Sequence, residues 1–167
     1  MIPGDSLLRW SVRLSVVLML AGWLLFLSKR SSPSNRAAAR WAWTAGFATF
    51  LVHLWTAFEY VHRWSHIAAV HETARQTREL VGLDWGDGVW LNYAFALVWG
   101  VDVVWWNGFP DSHARRPWMV AADVHAFLGF VTFNATVVFA SGVSRWLGVA
   151  GCGLLIAATI RHGRHGE

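Results

Sequence analysis

Long apolar runs separated by short polar segments dominate the chain. A helix needs about 20 predominantly apolar residues to cross the hydrocarbon core of a bilayer, and most of the runs approach or exceed this length. They predict an all-α fold, a polytopic transmembrane helical bundle that forms one integral membrane domain. The five predicted spans cover residues 7–28, 41–60, 89–109, 118–141 and 146–160. Four spans remain the alternative, because the fifth run is short enough for a re-entrant segment.

One connection, residues 61–88, is long and polar. Between His71 and Val81 it contains helix-forming residues and no Gly or Pro, which favours a helix. The Gly- and Asp-containing segment 83–88 then ends that helix. The pattern predicts either an outward helical extension of the second span or an interfacial helix, followed by a tight turn.

Composition narrows the class of protein further. Of the residues, 55% are hydrophobic and only 14% are charged, which is too little charge to cover a soluble globule. The net charge of +4 is spread between apolar runs, so nucleic acid is excluded as a partner. The single Cys152 excludes a disulfide framework. Lys29 and Arg30 follow the first run directly and favour a retained helix over a signal peptide.

The distribution of Lys and Arg predicts an orientation, because cytoplasmic loops carry an excess of these residues. The first loop, the third loop and the tail hold eight of them, against six on the other side. We therefore expect a protein of the bacterial inner (cytoplasmic) membrane with its N-terminus out and its C-terminus in. The eight are Lys29, Arg30, Arg36, Arg40, Arg115, Arg116, Arg161 and Arg164.

Tryptophan is abundant, with 13 residues, and many of them fall near the predicted span ends. Tryptophans at such positions are typical of interfacial aromatic belts. The pattern therefore predicts membrane anchoring by Trp41, Trp43, Trp64, Trp85, Trp90, Trp105, Trp106, Trp118 and Trp146.

Candidate metal ligands concentrate at the end of the second span. Glu59, His62 and His66 are spaced i, i+3 and i+7, so on one continuous helix they share a face. His71 lies further out and would complete the set if the helix bends. Two histidines and a carboxylate suit zinc or iron, and histidines also suit copper. Ordinary hydration of polar side chains at a helix end is the alternative explanation.

Two histidines inside predicted spans offer a competing cofactor. His53 lies in the second span and His125 in the fourth, and imidazoles from two helices can hold a b-type haem. No C-x-x-C-H motif is present, which excludes covalent haem attachment. The simpler alternative is that each histidine forms a hydrogen bond to a neighbouring helix.

Asp102 and Asp123 are the two acids within the third and fourth predicted spans. Carboxylates at membrane depth commonly mark ion or proton pathways, so these two are predicted to line such a path. The alternative is that Asp102 pairs with Arg115 or Arg116, and that Asp123 reaches water.

Four segments carry a family resemblance: H-R-W-S-H-I-A-A from His62, E-T-A-R-Q-T from Glu72, G-L-D-W-G from Gly82 and N-Y-A-F from Asn92. With them the chain resembles small multi-pass bacterial membrane proteins of unassigned function. The resemblance implies a membrane location and no mechanism. Motifs for phosphate, dinucleotide or acyl-transfer chemistry are absent from the sequence.

Three hypotheses for function follow from the sequence. The first is metal handling or a redox step at the Glu59–His66 cluster, and the second is electron transfer by haem. The third is an accessory or structural subunit without a site of its own, docked in a larger membrane complex or a homo-oligomer.

Overall fold

The structure is a computed structural model that describes residues 4–27 and 32–163. Within these ranges the chain is helical and contains no strand, as the apolar pattern predicts. A π-helical turn continues α2 over Phe58–His62, and another continues α6 over Asn134–Val138. The α-helices of the described residues are α1 (Asp5–Leu27), α2 (Pro33–Ala57), α3 (His66–Val81), α4 (Gly88–Gly108), α5 (Pro110–Ala114), α6 (Trp118–Phe133) and α7 (Val143–Gly163).

Three of these helices are long and apolar enough to cross a membrane: α1, α4, and α6 together with its π-helical end. They correspond to the first, third and fourth predicted spans. The predicted second and fifth spans overlap α2 and α7. Among the described residues, these two helices do not meet the same criterion of length and apolarity. α2 carries Arg36 and Arg40 near its start and contains Trp, Thr and His side chains, all of which lower its mean hydropathy. The apolar stretch of α7 is confined between Arg145 and Arg161.

The most extensive helix pair joins α1 to α2, and small residues let the two backbones approach closely. A Cβ atom on Gly46 would lie 3.3 Å from the backbone nitrogen of Met19, and one on Gly22 would lie 3.4 Å from that of Trp43. The Ser15 hydroxyl also donates to the Gly46 carbonyl at 2.9 Å. Small residues and interhelical hydrogen bonds of this kind are typical of helix pairs in membranes.

The core between α1, α2, α4 and α6 is built on tryptophan. Trp43 and Trp99 are each 1% exposed, and their ring centroids lie 5.4 Å apart. The ring centroid of Trp23 lies 5.6 Å from that of Trp43. The prediction of an interfacial position for Trp43 is therefore wrong, because α2 begins at Pro33 and carries this residue almost three turns into the helix. Exposed side chains, as expected of interface anchors, are those of Trp41, Trp64, Trp85, Trp90, Trp118 and Trp146.

The polar connection after α2 does not extend that helix. Arg63 and Trp64 both adopt left-handed backbone conformations, with φ of 50° and 59°, which non-glycine residues rarely populate. A new helix, α3, then begins after Ser65, whose hydroxyl accepts a hydrogen bond from the Ala68 N–H at 3.2 Å. Gly82 ends α3 in the left-handed conformation. The predicted outward extension is thus replaced by a separate helix that includes residues 71–81.

Candidate functional site

The most developed buried polar centre in residues 4–27 and 32–163 surrounds one carboxylate. Asp102 lies near the C-terminal end of α4 and is 3% exposed. Trp43 Nε1 donates to its Oδ2 at 2.9 Å, and Arg116 Nη1 donates to its Oδ1. His113 Nε2 lies 3.2 Å from the same Oδ1. Side chains from α2, α5 and the α5–α6 connection therefore converge on this one acid.

Two prolines shape the connection that returns to Asp102. Pro110 begins the five-residue helix α5, where a missing N–H has no cost. Pro117 precedes α6 and disfavours helical geometry at Arg116 just before it. The chain reverses at this point, and the Arg116 side chain is left 5% exposed beside Asp102.

His113 is enclosed by aromatic rings. The Trp106 ring stacks on it at 4.9 Å with an interplanar angle of 6°, and Trp105 meets it edge-on at 5.6 Å. Nε2 of His113 also lies 2.7 Å from Arg116 Nη1. These rings shield the ion pair from solvent, which strengthens its electrostatic interactions.

His125 on α6 adds a second imidazole. Its Nδ1 accepts from Trp23 Nε1 at 2.9 Å, and its Nε2 lies 3.0 Å from Arg116 Nη2. Indole and guanidinium groups are donors only. The geometry therefore favours a neutral His125 ring. With Nδ1 accepting from Trp23, that ring carries its proton on Nε2, so Arg116 Nη2 is a close neighbour and not a hydrogen-bond partner. We call Asp102, His113, Arg116 and His125 the Asp102 cluster.

Asp102 and Arg116 carry opposite charges and face each other within the Asp102 cluster. A buried pair of this kind adds little net stability, yet removal of one partner leaves an uncompensated charge and costs about 3–5 kcal/mol. The pair is therefore sensitive to the loss of either charge.

An apolar cavity of about 460 Å³ lies beside His125 between α1, α6 and α7. A second cavity of about 150 Å³ continues along the same side of α1, and the two share Val16, Leu20 and Thr136. We call the combined depression the α1–α6 groove. Trp23 and Gly129 also line its larger part.

Few polar groups face the α1–α6 groove. The Thr136 hydroxyl is engaged by the Thr132 carbonyl at 2.7 Å, and the Thr132 hydroxyl donates to the Met19 sulfur at 3.4 Å. His125 is thus the principal polar group at one end of the groove. The π-helical end of α6, which carries Thr136, is a feature that often occurs at functional sites.

The predicted metal ligands separate in the structure. Glu59 accepts from Trp64 Nε1 at 2.8 Å, and His66 shares a hydrogen bond with the Tyr93 hydroxyl at 3.0 Å. His71 is exposed on α3. Within the described residues no group of three or more His, Cys, Asp or Glu side chains is placed to hold a metal ion. The prediction assumed one continuous helix, and the break at Arg63 and Trp64 removes that basis.

His62 faces α3 rather than a metal partner. Burial lowers its pKa below the ordinary value, although the Glu72 carboxylate partly opposes that shift. Glu72 in turn has a lowered pKa, chiefly because Arg75 donates to it at 2.6 Å. Glu72 and Arg75 therefore form a surface ion pair near His62.

The two histidines of the haem hypothesis lie at different levels of the bundle. His53 donates through Nδ1 to the Leu8 carbonyl at 3.0 Å, whereas His125 contacts Trp23. Leu8 and Trp23 are 15 residues apart on α1, which corresponds to about 22 Å along a helix. Because both axial ligands must reach one iron atom, this arrangement is incompatible with a haem shared by His53 and His125.

The two acids of the predicted third and fourth spans occupy different environments. Asp102 pairs with Arg116, which is one of the alternatives the sequence left open. Asp123 is exposed on α6. A proton or ion path along both carboxylates therefore stays a prediction, and the enclosed Asp102 is the better-defined group.

Sequence reasoning missed three members of the site. Trp23 and Trp43 carry indole donors that only helix packing brings to His125 and Asp102. His113 lies eleven residues after Asp102, on the short helix α5. A usable signal was present, because a buried acid near a span end needs a cationic or N–H partner and the adjacent loop supplies both.

Comparison with known protein families, with curated proteins and with solved structures finds no match to this chain.

Proposed function

We propose that the protein binds an elongated, mostly apolar molecule in the α1–α6 groove, with a neutral hydrogen-bonding head group placed at His125. One observation carries this proposal. The groove is mostly apolar, with the Arg13 side chain in its smaller part and His125 at the other end, where Trp23 donates to the imidazole. Pockets with apolar walls and a few fixed polar groups are typical small-molecule sites.

The shape of the groove favours a chain-like ligand. Its lining on α1 extends from Val12 to Leu27, which is about 22 Å at the rise of an α-helix. The volume beside His125 is within the usual range for ligand sites. A prenyl or acyl chain along α1 with a compact head at His125 fits these dimensions.

The charge balance of the Asp102 cluster favours a neutral head group. Asp102 already neutralises Arg116, and an anionic head would be buried without a free cation beside it. A carbonyl or hydroxyl oxygen instead accepts a hydrogen bond from the Nε2–H of the neutral His125 ring. Quinones and neutral lipids have this chemistry.

The proposal includes a membrane setting. We infer that α2 and α7 also cross the bilayer, because α2 pairs along α1 and the groove lies between α1, α6 and α7. The basic first loop, with Lys29, Arg30 and Arg36, supports an N-out, C-in orientation in the bacterial inner membrane. Arg116 contributes less to this bias, since Asp102 neutralises it.

The test measures binding of decylubiquinone to the full chain in lipid nanodiscs. A Cβ atom on Gly129 would lie 3.8 Å from the nearest atom, on the Trp23 ring, so Gly129→Leu fills the groove without a backbone clash. We expect it to weaken binding by about tenfold or more, or about 1.4 kcal/mol. Gly153→Leu is the matched control, because a Cβ there meets nothing within 4 Å and we expect unchanged affinity.

A second ligand, palmitate, tests the chemistry of the head group. Palmitate has a similar apolar length and an anionic head, so we expect it to bind more weakly than decylubiquinone. Equal affinity of both glycine variants, or no saturable binding by the wild-type chain, would overturn the proposal. Preference for palmitate would overturn the neutral-head assignment. The accessory-subunit hypothesis predicts no saturable ligand binding by the isolated protein.

A further inference from the structure

α3 and its flanking turns carry an apolar strip that no described residue covers. Ile67 is 69% exposed and Val81 is 54% exposed. Ile67, Ala74 and Val81 are spaced seven residues apart, so they lie within about 40° of one another on the helix. Further exposed apolar side chains extend the strip at its two ends: Trp64, Leu83 and Trp85. We call this set the α3 strip.

The other faces of α3 are already occupied. Ala69 and Thr77 are buried on the side that packs against the rest of the protein. Arg75 holds Glu72 and Glu79 on the solvent side, each at 2.6 Å. The α3 strip therefore lies between the protein-facing side and the charged side, with Arg78, which pairs with Asp84, and the exposed His71 along its charged border.

We propose that α3 lies in the plane of the membrane interface, with the α3 strip inserted among the lipid head groups and the upper acyl chains. The connections support this position, because α3 leads directly into α4, one of the helices long and apolar enough to span the membrane. Trp64 and Trp85 flank α3, and tryptophan favours the interfacial zone. A helix with separate apolar and charged faces binds that zone lengthwise.

The net charge of residues 59–88, which include α3, indicates which property of the lipid holds α3 at the interface. Its acidic residues outnumber its arginines by five to three, and Arg75 and Arg78 are already engaged by carboxylates. Attraction to anionic lipids is therefore not the driving force, and apolar insertion is. The residues counted over 59–88 are Glu59, Glu72, Glu79, Asp84 and Asp87 against Arg63, Arg75 and Arg78.

Spin labels on single cysteines test this placement. The full chain carries Cys152→Ser and one of two strip substitutions, Ile67→Cys or Val81→Cys, in nanodiscs of phosphatidylcholine alone. Gln76→Cys and Glu79→Cys on the charged face are the matched controls. We expect labels on the strip to collide more with oxygen and several-fold less with a water-soluble nickel chelate than labels on the controls, since oxygen concentrates in lipid.

Three results would overturn the proposal. Nickel access at position 67 equal to that at position 76 would place α3 in water. Exclusion of both oxygen and nickel from position 67 would indicate a protein contact, such as a second copy of the chain. A strip that becomes lipid-exposed only after phosphatidylglycerol is added would indicate electrostatic attachment. Size-exclusion profiles and helical circular dichroism that match the parent chain identify the labelled variants that are folded.

Discussion

Two carboxylates in this protein accept the same hydrogen bond in opposite settings. Asp102 accepts from the Trp43 indole at 2.9 Å, and Glu59 accepts from the Trp64 indole at 2.8 Å. Asp102 is buried among four helices and their connection, whereas Glu59 is exposed next to a chain reversal. The bond length is almost equal, so the difference lies in what else surrounds each acid.

The contrast shows how a polar centre forms in a membrane bundle. Glu59, His62 and His66 are close in sequence, yet each finds a separate local partner. Asp102 gathers Arg116 and His113 because the short α5 connection and the α2–α4 packing leave it no solvent. The density of chemically active residues along the sequence is thus a weaker guide to a polar centre than the number of helices and connections that converge on one buried charge.

The test with the largest expected effect replaces the two carboxylates one at a time. Asp102→Asn leaves Arg116 buried without its counter-charge, and we expect the free energy of unfolding to fall by about 3–5 kcal/mol. Glu59→Gln changes an exposed group, and we expect a change within about 0.5 kcal/mol. Denaturant titration in detergent micelles measures both values.

A double variant separates charge loss from loss of packing. Asp102→Asn combined with Arg116→Gln removes both charges, so it should recover part of the stability lost in Asp102→Asn alone. Equal effects of Asp102→Asn and Glu59→Gln would show that burial does not distinguish the two regions.

The next effect concerns the two indole donors. Trp43→Phe removes a hydrogen bond to a buried carboxylate, and we expect a loss of about 1.5–3 kcal/mol. Trp64→Phe removes the corresponding bond at an exposed acid, which is worth less than about 1 kcal/mol. Comparison of the two melting curves under one detergent condition gives the difference, and a larger loss for Trp64→Phe would reverse our interpretation.

The smallest effect is pH dependence near α3. The pKa of His62 is lowered from 6.5 by burial, so below about pH 6.5 the unfolded chain binds more protons than the folded chain. The free energy of unfolding should therefore fall as the pH drops through 6.5 toward the lowered pKa. Glu72 acts in a separate window, because its pKa is lowered from 4.5 and its contribution is lost below that value.

The expected size of the His62 effect is below about 0.5 kcal/mol, because the side chain is screened by solvent. His62→Gln should reduce the slope just below pH 6.5 by its small share and leave the slope below pH 4.5 intact. A wild-type stability that rises on acidification from pH 6.5 would contradict the sign.

The sequence was sufficient for the helical class and for part of the membrane assignment. The long apolar runs near 7–28, 89–109 and 118–141 correspond to α1, α4 and the α6 segment. The polar connection also contains the helix expected around 71–81. These features depend on local composition and periodicity, which a single sequence displays directly.

The candidate site could be predicted only in pieces. Asp102 and His125 stood out as polar residues in apolar runs, and Arg116 was one of two expected partners. Their meeting with Trp23 and Trp43 depends on the register of α1 against α2, which Gly22 and Gly46 set at close range. No local pattern encodes that register, so the groove beside His125 was not foreseen.

The metal prediction lacks support in the described residues for a different physical reason. It required one helix to continue through residues 59–66. That segment contains no Gly and no Pro, so neither of these residues marks a break there. The break rests on Arg63 and Trp64 in left-handed conformations, which only the surrounding packing can impose. Propensity alone therefore gave the wrong answer at this position.

The ion pair between Asp102 and Arg116 also constrains how the protein is made. The two residues lie 14 positions apart, near the two ends of the turn between α4 and α6. A lone arginine or aspartate is expensive to insert into a bilayer, but the pair enters as a neutral unit once the turn has formed. If α4 and α6 span a membrane, as their length and composition allow, we therefore expect their insertion to be coupled, with the two helices entering as one hairpin.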